Sequence, residues 1–220
     1  MDWYPLWNSL RIALVSCAAV FFLGIFAAYY IAKLPRTVKG ALDVVLTLPM
    51  VLPPTVVGYF LLLLFGAKRP LGIFFMEHFG VKLVMNWYSA IFASIVVAFP
   101  LMYRTARGAF ESLDPNMLDA ARTLGWSNGR IFLRLMLPLA WSSIASGTVL
   151  AFARALGEFG CTLFLAGNQL GSTRTIPIAI YFEWMNGNTE ATWFWTIVLL
   201  VFSFLVILFI NLWSRHTTRY

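Results

Sequence analysis

Long apolar runs separated by short polar segments set the pattern of this sequence. Each run can form a helix of the roughly 20 residues needed to cross the hydrocarbon core of a bilayer. The runs cover residues 10–32, 43–66, 86–103, 135–166 and 193–213, and a shorter one covers 176–182. The pattern predicts an all-α, polytopic membrane protein with about five spans, folded as a single domain over residues 1–220. We expect residues 68–85 to form a polar loop.

Three prolines interrupt the first half of the second run: Pro49, Pro53 and Pro54. Proline removes a backbone donor and clashes with the preceding turn, so this span should be kinked or partly unwound. Inside a bilayer such backbone is tolerated where it is buried in protein or lines a water-filled cavity. Two interpretations remain open: a kink that serves packing, or a break that lines a translocation path.

The composition excludes a water-soluble domain. Sixty per cent of the residues are apolar and 11% are charged, whereas about a quarter are charged in soluble domains. The basic residues behind the net charge of +7 lie between the apolar runs, not on a soluble module, so we expect no nucleic-acid partner. Cys17 and Cys161 stand in apolar runs without nearby His or Cys, which indicates buried, inert thiols and no metal site.

The basic residues also predict the orientation. If residues 104–134 are cytoplasmic, the first loop and the C-terminus are cytoplasmic too, and the N-terminus is outside. Most Lys and Arg residues then lie on the cytoplasmic side, as the positive-inside rule requires: Lys33, Arg36, Lys39, Arg104, Arg107, Arg122, Arg130, Arg134, Arg215 and Arg219. The first run is followed by basic residues, not by a small-residue cleavage site, so we expect it to remain as a span.

The segment 112–130, between the third and fourth spans, predicts a short helix outside the membrane. Asp114-Pro115 supplies an N-cap followed by proline at the first helical position, and Gly125 suits a left-handed stop. Apolar positions at helical spacing form one face of small residues: Met117, Ala120, Ala121 and Leu124. A helix of this length is marginal alone, so we expect it to dock on another protein.

This segment resembles the EAA signature of binding-protein-dependent ABC importers, on these residues: Asp119, Ala120, Ala121, Gly125, Leu135, Leu137 and Pro138. Asp119 and Leu135 replace the usual Glu and Ile, both conservatively. The resemblance implies the type I importer permease fold, with this coupling helix resting in a groove of a separate ATP-binding subunit. The residues implied in that contact are Met117, Leu118, Asp119, Ala120, Ala121, Leu124 and Gly125.

Three further stretches are similar to motifs of molybdate permeases: residues 48–59, 151–160 and 173–181. The resemblance implies a permease of an oxyanion importer, with molybdate as the first choice and tungstate or sulfate as alternatives. It also implies a homodimer, two ATP-binding subunits, an external oxyanion-binding protein and surrounding lipid as partners. The sequence has no Gly-rich phosphate loop, so we expect a non-catalytic subunit without a cofactor, in the cell inner membrane.

Arg154 and Glu158 lie inside the fourth run, where either charge costs on the order of 3 kcal/mol at mid-bilayer. Their i, i+4 spacing allows an ion pair worth only about 0.3 kcal/mol in isolation. A straight helix from Pro138 would place Arg154 roughly 24 Å along the span. One interpretation is an Arg that reaches the outer headgroups with Glu158 as partner. The other is the wall or outer gate of an anion path, where Arg attracts the dianion.

Three other classes of protein fit the sequence less well. A membrane enzyme would need a cluster of His, Asp or Glu near one face of the membrane. A secondary transporter driven by an ion gradient would show more intramembrane carboxylates and an internal repeat, and its helical segment 114–138 would lack a purpose. The match to the EAA signature argues against a structural scaffold.

Overall fold

The computed structural model of the chain describes residues 2–217, and every regular element within that range is a helix. The helices are, in chain order, α1 (Tyr4–Ala32), α2 (Arg36–Val51), α3 (Pro54–Phe65), α4 (Pro70–Phe79), α5 (Trp87–Glu111), α6 (Pro115–Thr123), α7 (Asn128–Ile131), a π-helical turn (Phe132–Met136), α8 (Leu137–Leu139), α9 (Trp141–Leu156), α10 (Gly160–Ala166), α11 (Ile176–Met185) and α12 (Thr189–Thr217).

Among the described residues, three helices are long and apolar enough to cross a bilayer alone: α1, α5 and the Thr189–Leu208 part of α12. Two bent pairs of helices are apolar enough to form further crossings. α2 and α3 meet at 115°, and the Asn128–Leu139 stretch meets α9 at 73°. Counting each bent pair as one span gives up to five spans, which agrees with the hydropathy pattern.

The core of the bundle lies where α1, α5 and α9 pack together. α1 and α5 run parallel, since Ser16 Oγ donates to the Ile91 carbonyl (3.2 Å) and Gly24 lies against Met102 further along. A Cβ on Gly24 would lie 2.7 Å from Met102 Cγ, so the two helices approach as closely as glycine permits. Without water to compete, this close packing is a main source of helix association in a membrane.

The first loop lies at the same end of the bundle as the segment 104–134, as the charge pattern predicted, whereas Arg219 of the predicted basic set lies outside the described residues. Tyr29 near the end of α1 packs on Phe132 (4.4 Å between ring centroids), and Lys33 lies 3.5 Å from the centre of the Tyr29 ring. The first loop and the segment 104–134 therefore share one end, which we call the basic end. The side of the membrane that this end faces stays a prediction.

The expectation of a polar loop at 68–85 is wrong, because α4 occupies its middle. Pro70 stands at the start of α4, and Gly80 ends it in the left-handed region (φ 64°). Proline and glycine are turn residues, but they are equally the preferred residues at a helix start and stop. The pair thus marked the boundaries of a helix and not the interior of a loop.

Two spans also end differently from the apolar runs. α5 continues past residue 103 to Glu111, because charged side chains in its last turns pair with α2. The run 135–166 is not one helix: the chain bends at Ala140 and breaks again between Leu156 and Gly160. Hydropathy reports where the chain meets lipid, whereas helix ends depend on local hydrogen bonds and packing partners.

α3 and α10 pack through small residues, and Gly58 should be intolerant of any side chain. A Cβ there would lie 2.8 Å from the Cys161 Cα, which is backbone and cannot turn aside. We expect Gly58→Ala to destabilise the chain by about 1–3 kcal/mol, measured as a lower Tm of the purified protein in detergent.

Gly40→Ala in α2 is the matched control. Within the described part of the chain no heavy atom lies within 4 Å of its added Cβ, and alanine favours a helix by about 0.5–1 kcal/mol over glycine. An unchanged or higher Tm is expected for this variant. Equal Tm values for the two variants would contradict the close packing of α3 on α10.

Candidate coupling helix and broken spans

The short helix predicted within 112–130 is present as α6. The Asp114 carboxylate accepts a hydrogen bond from the Asn116 N–H (2.9 Å), and Pro115 occupies the first helical position. At the other end Gly125 has φ 77°. The Gly125 N–H donates to the Arg122 carbonyl (2.9 Å) and the Trp126 N–H donates to the Ala121 carbonyl (3.1 Å). This is a Schellman turn, so both predicted ends of the helix are confirmed.

The face of small residues divides between the inside and the outside of the chain. Ala121 is buried against the chain itself, and Met117 and Leu118 are partly buried. Ala120 and Gly125 are exposed, and Leu124 has 76% of its surface exposed. The contact of this face with a partner stays a prediction, and within this chain the Ala121 side chain is already buried.

The charged back of α6 is open to solvent. The Arg122 Nη1 lies 2.5 Å from the Asp119 Oδ1, and both side chains are more than half exposed. Such a pair contributes little to stability in water. Asp119 is thus available for contact with a partner together with Ala120, Leu124 and Gly125.

Aromatic packing holds the residues that follow α6 against the bundle. Ser127 Oγ accepts from the Arg130 N–H (3.4 Å) and caps the next helical stretch. Phe132 on that stretch contacts Tyr29 of α1 and Phe110 of α5, with ring centroids 4.4 and 5.8 Å apart. α6 is therefore attached at both ends to helices of the core.

The breaks in two spans meet inside the bundle. The first is the bend between α2 and α3, with Pro49 one turn before it and Pro53 and Pro54 within it. The second is the Gly157–Phe159 connection between α9 and α10. A Cβ on Gly160 would lie 2.9 Å from the Thr55 backbone nitrogen. The structure thus brings together the two regions that the sequence singled out separately.

Glu158 is at the centre of the second break and has two partners. Its side chain is 1% exposed, and its Oε2 lies 2.6 Å from Arg154 Nη1. This contact is electrostatic, because Oε2 does not meet the geometry of a hydrogen bond. The other oxygen, Oε1, accepts from the Cys161 N–H (2.7 Å) in the first turn of α10. Glu158 therefore caps α10 and holds Arg154 at the same time.

Arg154 lies in the last turn of α9, the helix that runs from Trp141 to Leu156. Thirteen residues of helix from Trp141 put it about 20 Å along α9. Its side chain is 29% exposed, more than that of its partner. The guanidinium is thus tied to Glu158 by one nitrogen while part of it remains accessible.

Charged groups at the basic end form a cluster that the sequence interpretation missed. Arg107 Nη1 contacts the Asp43 carboxylate, and Arg107 Nε lies 3.1 Å from Glu111 Oε1. Lys39 Nζ lies 2.9 Å from the same Glu111 oxygen. Tyr103 donates its hydroxyl to Asp43 and accepts from Arg107 Nη1 (3.3 Å). We call these five residues the α2–α5 ion network.

Only part of the α2–α5 ion network could be predicted from the sequence. Arg107 and Glu111 stand at i, i+4 on one helix, a spacing that favours an ion pair. Asp43 and Tyr103 are 60 residues apart, so no local sequence pattern predicts their contact.

The stretch 173–181 also has a packing role: Arg174 Nη2 lies 2.7 Å from Glu183 Oε1, and Ser9 Oγ accepts from the Ile176 N–H (2.8 Å).

Solved transporters share this arrangement of helices. A bacterial ABC transporter that imports the polysaccharide alginate matches with a TM-score of 0.80 at 19% identity, over 98% of this chain and 79% of that one. The MetNI methionine ABC transporter matches with a TM-score of 0.72 at 17% identity, over 98% and 95% of the two chains. At these identities the likeness concerns the fold alone.

Relatives of similar sequence are permeases. The molybdenum transport system permease protein ModB of Escherichia coli K12 is 45% identical over 181 residues, which cover 80% of this chain and 79% of ModB. The permease protein YvgM of Bacillus subtilis is 40% identical over 212 residues, covering 96% and 93%. The family described as "Binding-protein-dependent transport system inner membrane component" matches residues 21–219. The chain belongs to this family of inner-membrane transport components.

Proposed function

We propose that this chain forms the translocation path of an ATP-driven molybdate importer. Two copies of it work with two ATP-binding subunits and one external oxyanion-binding protein. The observation that carries the proposal is α6, an exposed helix closed at both ends, which presents Ala120, Leu124 and Gly125 outward. A short helix with an outward face of small residues suits docking in a groove of another protein. The ATPase is a separate chain, since this sequence has no phosphate loop.

The substrate follows from relatives whose names state molybdenum transport, among them ModB of Escherichia coli and ModB of Haemophilus influenzae. Tungstate and sulfate are tetrahedral dianions of the same class and stand as alternatives. Arg154 supplies a positive charge partway along a span, which suits any of them. Choice among the three falls to the external binding protein.

The same proposal fixes the orientation and the number of copies. With α6 docked on an ATPase, the basic end faces the cytoplasm and the N-terminus faces outward, as the positive-inside rule requires. Each chain offers one coupling helix, so a pair of ATP-binding subunits needs two permease chains. Exposed apolar side chains on α2, such as Val44 and Leu48, are then covered by the second copy or by lipid.

Transport reconstituted in liposomes tests the function. The chain, its ATPase and its binding protein should accumulate molybdate only when ATP is supplied, with tungstate as a strong competitor. Native mass spectrometry should give permease and ATPase chains in equal numbers. Uptake that follows an ion gradient without ATP would contradict the proposal and support a secondary transporter.

Substitutions on α6 should separate insertion from transport. Leu124→Asp places a charge on a side chain that is 76% exposed, so the chain should insert normally while uptake falls to background. Gly125→Asp should act likewise, because the left-handed conformation costs about 1 kcal/mol for a residue with a side chain. Membrane abundance and uptake are measured together for each variant.

Asp119→Glu is the control on the same helix. It keeps the charge and restores the residue usual in the EAA signature, so uptake should remain normal. The docking of α6 is contradicted if Leu124→Asp transports normally at normal abundance. It is also contradicted if a crosslinker attached at residue 124 never reaches the ATPase.

Neutralising the charge of Arg154 should distinguish two roles for this residue. It either attracts the transported anion or only forms an ion pair with Glu158. Arg154→Gln should slow uptake by about tenfold or more, since a focusing charge raises the local anion concentration, while Arg154→Lys should keep much of the rate. Glu158→Gln retains an oxygen that accepts from the Cys161 N–H. The double variant Arg154→Gln/Glu158→Gln should therefore stay folded and stay slow. Normal uptake by that double variant would show that Arg154 serves packing alone.

A further inference from the structure

α2 is held to the rest of the chain by few apolar contacts. The structure describes all 16 of its residues, and none of them is buried. Leu42 and Leu46 pack partly against the core. Other contacts must therefore fix the position of α2 along and around its axis, and the α2–α5 ion network is where polar contacts join it to α5.

The network has a rigid centre. Tyr103 is fully buried, and its ring stacks on Phe99 with centroids 5.8 Å apart and planes 7° apart. Its hydroxyl donates to Asp43 and accepts from Arg107, so it sets where these two charges meet. Charged hydrogen bonds are directional. The network therefore fixes the two helices relative to each other, whereas two helices can slide along an apolar contact.

The network also lies between the two regions proposed to act in transport. Glu111 is the last residue of α5, three residues before Asp114, which caps α6. On the other helix Asp43 precedes the break at Pro53 by ten residues, about 15 Å of helix. A shift of α6 thus reaches the end of α5 first and the network next, and α2 continues from there to the break.

We propose that Asp43 and Arg107 are positioning residues for transport. They make the basic-end half of the broken span move together with the end of α5 that carries α6, so that docking events at α6 tilt α2 about the break at Pro53. This inference rests on the proposed function. Under the rival view the network only adds stability, and transport does not depend on its geometry.

The first test uses the complete complex in liposomes, with uptake and ATP hydrolysis measured on the same preparation. Arg107→Gln and Asp43→Asn should each lower molybdate uptake roughly two- to thirtyfold, the range found for residues that carry coupling. Hydrolysis stimulated by loaded binding protein should persist, since α6 and its docking surface are unchanged. ATP spent per oxyanion then rises, which a loss of folded protein would not produce.

Arg104→Gln is the matched control, because Arg104 lies near the same end of α5 and is exposed. It removes the same charge and should leave uptake and hydrolysis unchanged. Uptake and hydrolysis that fall in equal proportion in Arg107→Gln would overturn the proposal, as would normal uptake by both network variants.

A crosslink supplies a second test that does not depend on the stability of those variants. Asp43→Cys/Arg107→Cys should transport slowly, and joining the two thiols with a short bis-thiosulfonate reagent should restore uptake. The native Cys17 and Cys161 are buried, and each single-cysteine variant controls for reaction elsewhere. If the crosslink blocks uptake instead, α2 and α5 must separate during transport and the proposal is wrong.

The two proposals fail in different ways. A complex of the unaltered chain that takes up no oxyanion with ATP contradicts the proposed function. A complex that transports normally, beside network variants that also transport normally, contradicts the role of Asp43 and Arg107 alone.

Discussion

A backbone amide or carbonyl left without a partner in hydrocarbon costs several kcal/mol, and this chain breaks two of its spans inside the bundle. The chain segments at the two breaks pack largely against each other. Gly160 allows the start of α10 to lie against Thr55 at the start of α3, and Gly58 lets the two helices continue in close contact. Glu158 satisfies the Cys161 N–H in the buried first turn of α10. Irregular backbone, small residues and a buried carboxylate therefore form one arrangement, and each part would be costly without the others.

The two groups of charges have different physical roles. Glu158 is almost fully buried, and a charge at such a place is tolerated because it both pairs with Arg154 and caps a helix. The α2–α5 ion network is partly exposed, and exposed pairs contribute only about 0–1 kcal/mol each. Its effect is better understood as fixing the relative position of two helices than as stabilising the fold.

Fold and function rest on different evidence in this family. Transporters of alginate and of methionine share the helix arrangement at 19% and 17% identity. The fold by itself therefore does not identify the molecule that crosses the membrane. The helix α6, which we propose couples the chain to an ATPase, is a surface feature that another protein can recognise whatever is transported. The charge of Arg154 and the breaks beside it are the features that we propose a transported dianion meets.

Features whose causes lie within a few residues could be predicted from the sequence. The span count follows from runs of apolar residues, and α6 follows from Asp114, Pro115 and Gly125, because caps and stops act on the nearest backbone groups. The tertiary structure alone decided that Ala121 turns inward, that Pro54 lies near Gly160, and that Asp43 meets Tyr103 and Arg107. These contacts join residues far apart in the chain, and their geometry depends on how whole helices pack. A local sequence pattern cannot predict these contacts, since the same residue types are equally compatible with an exposed helix.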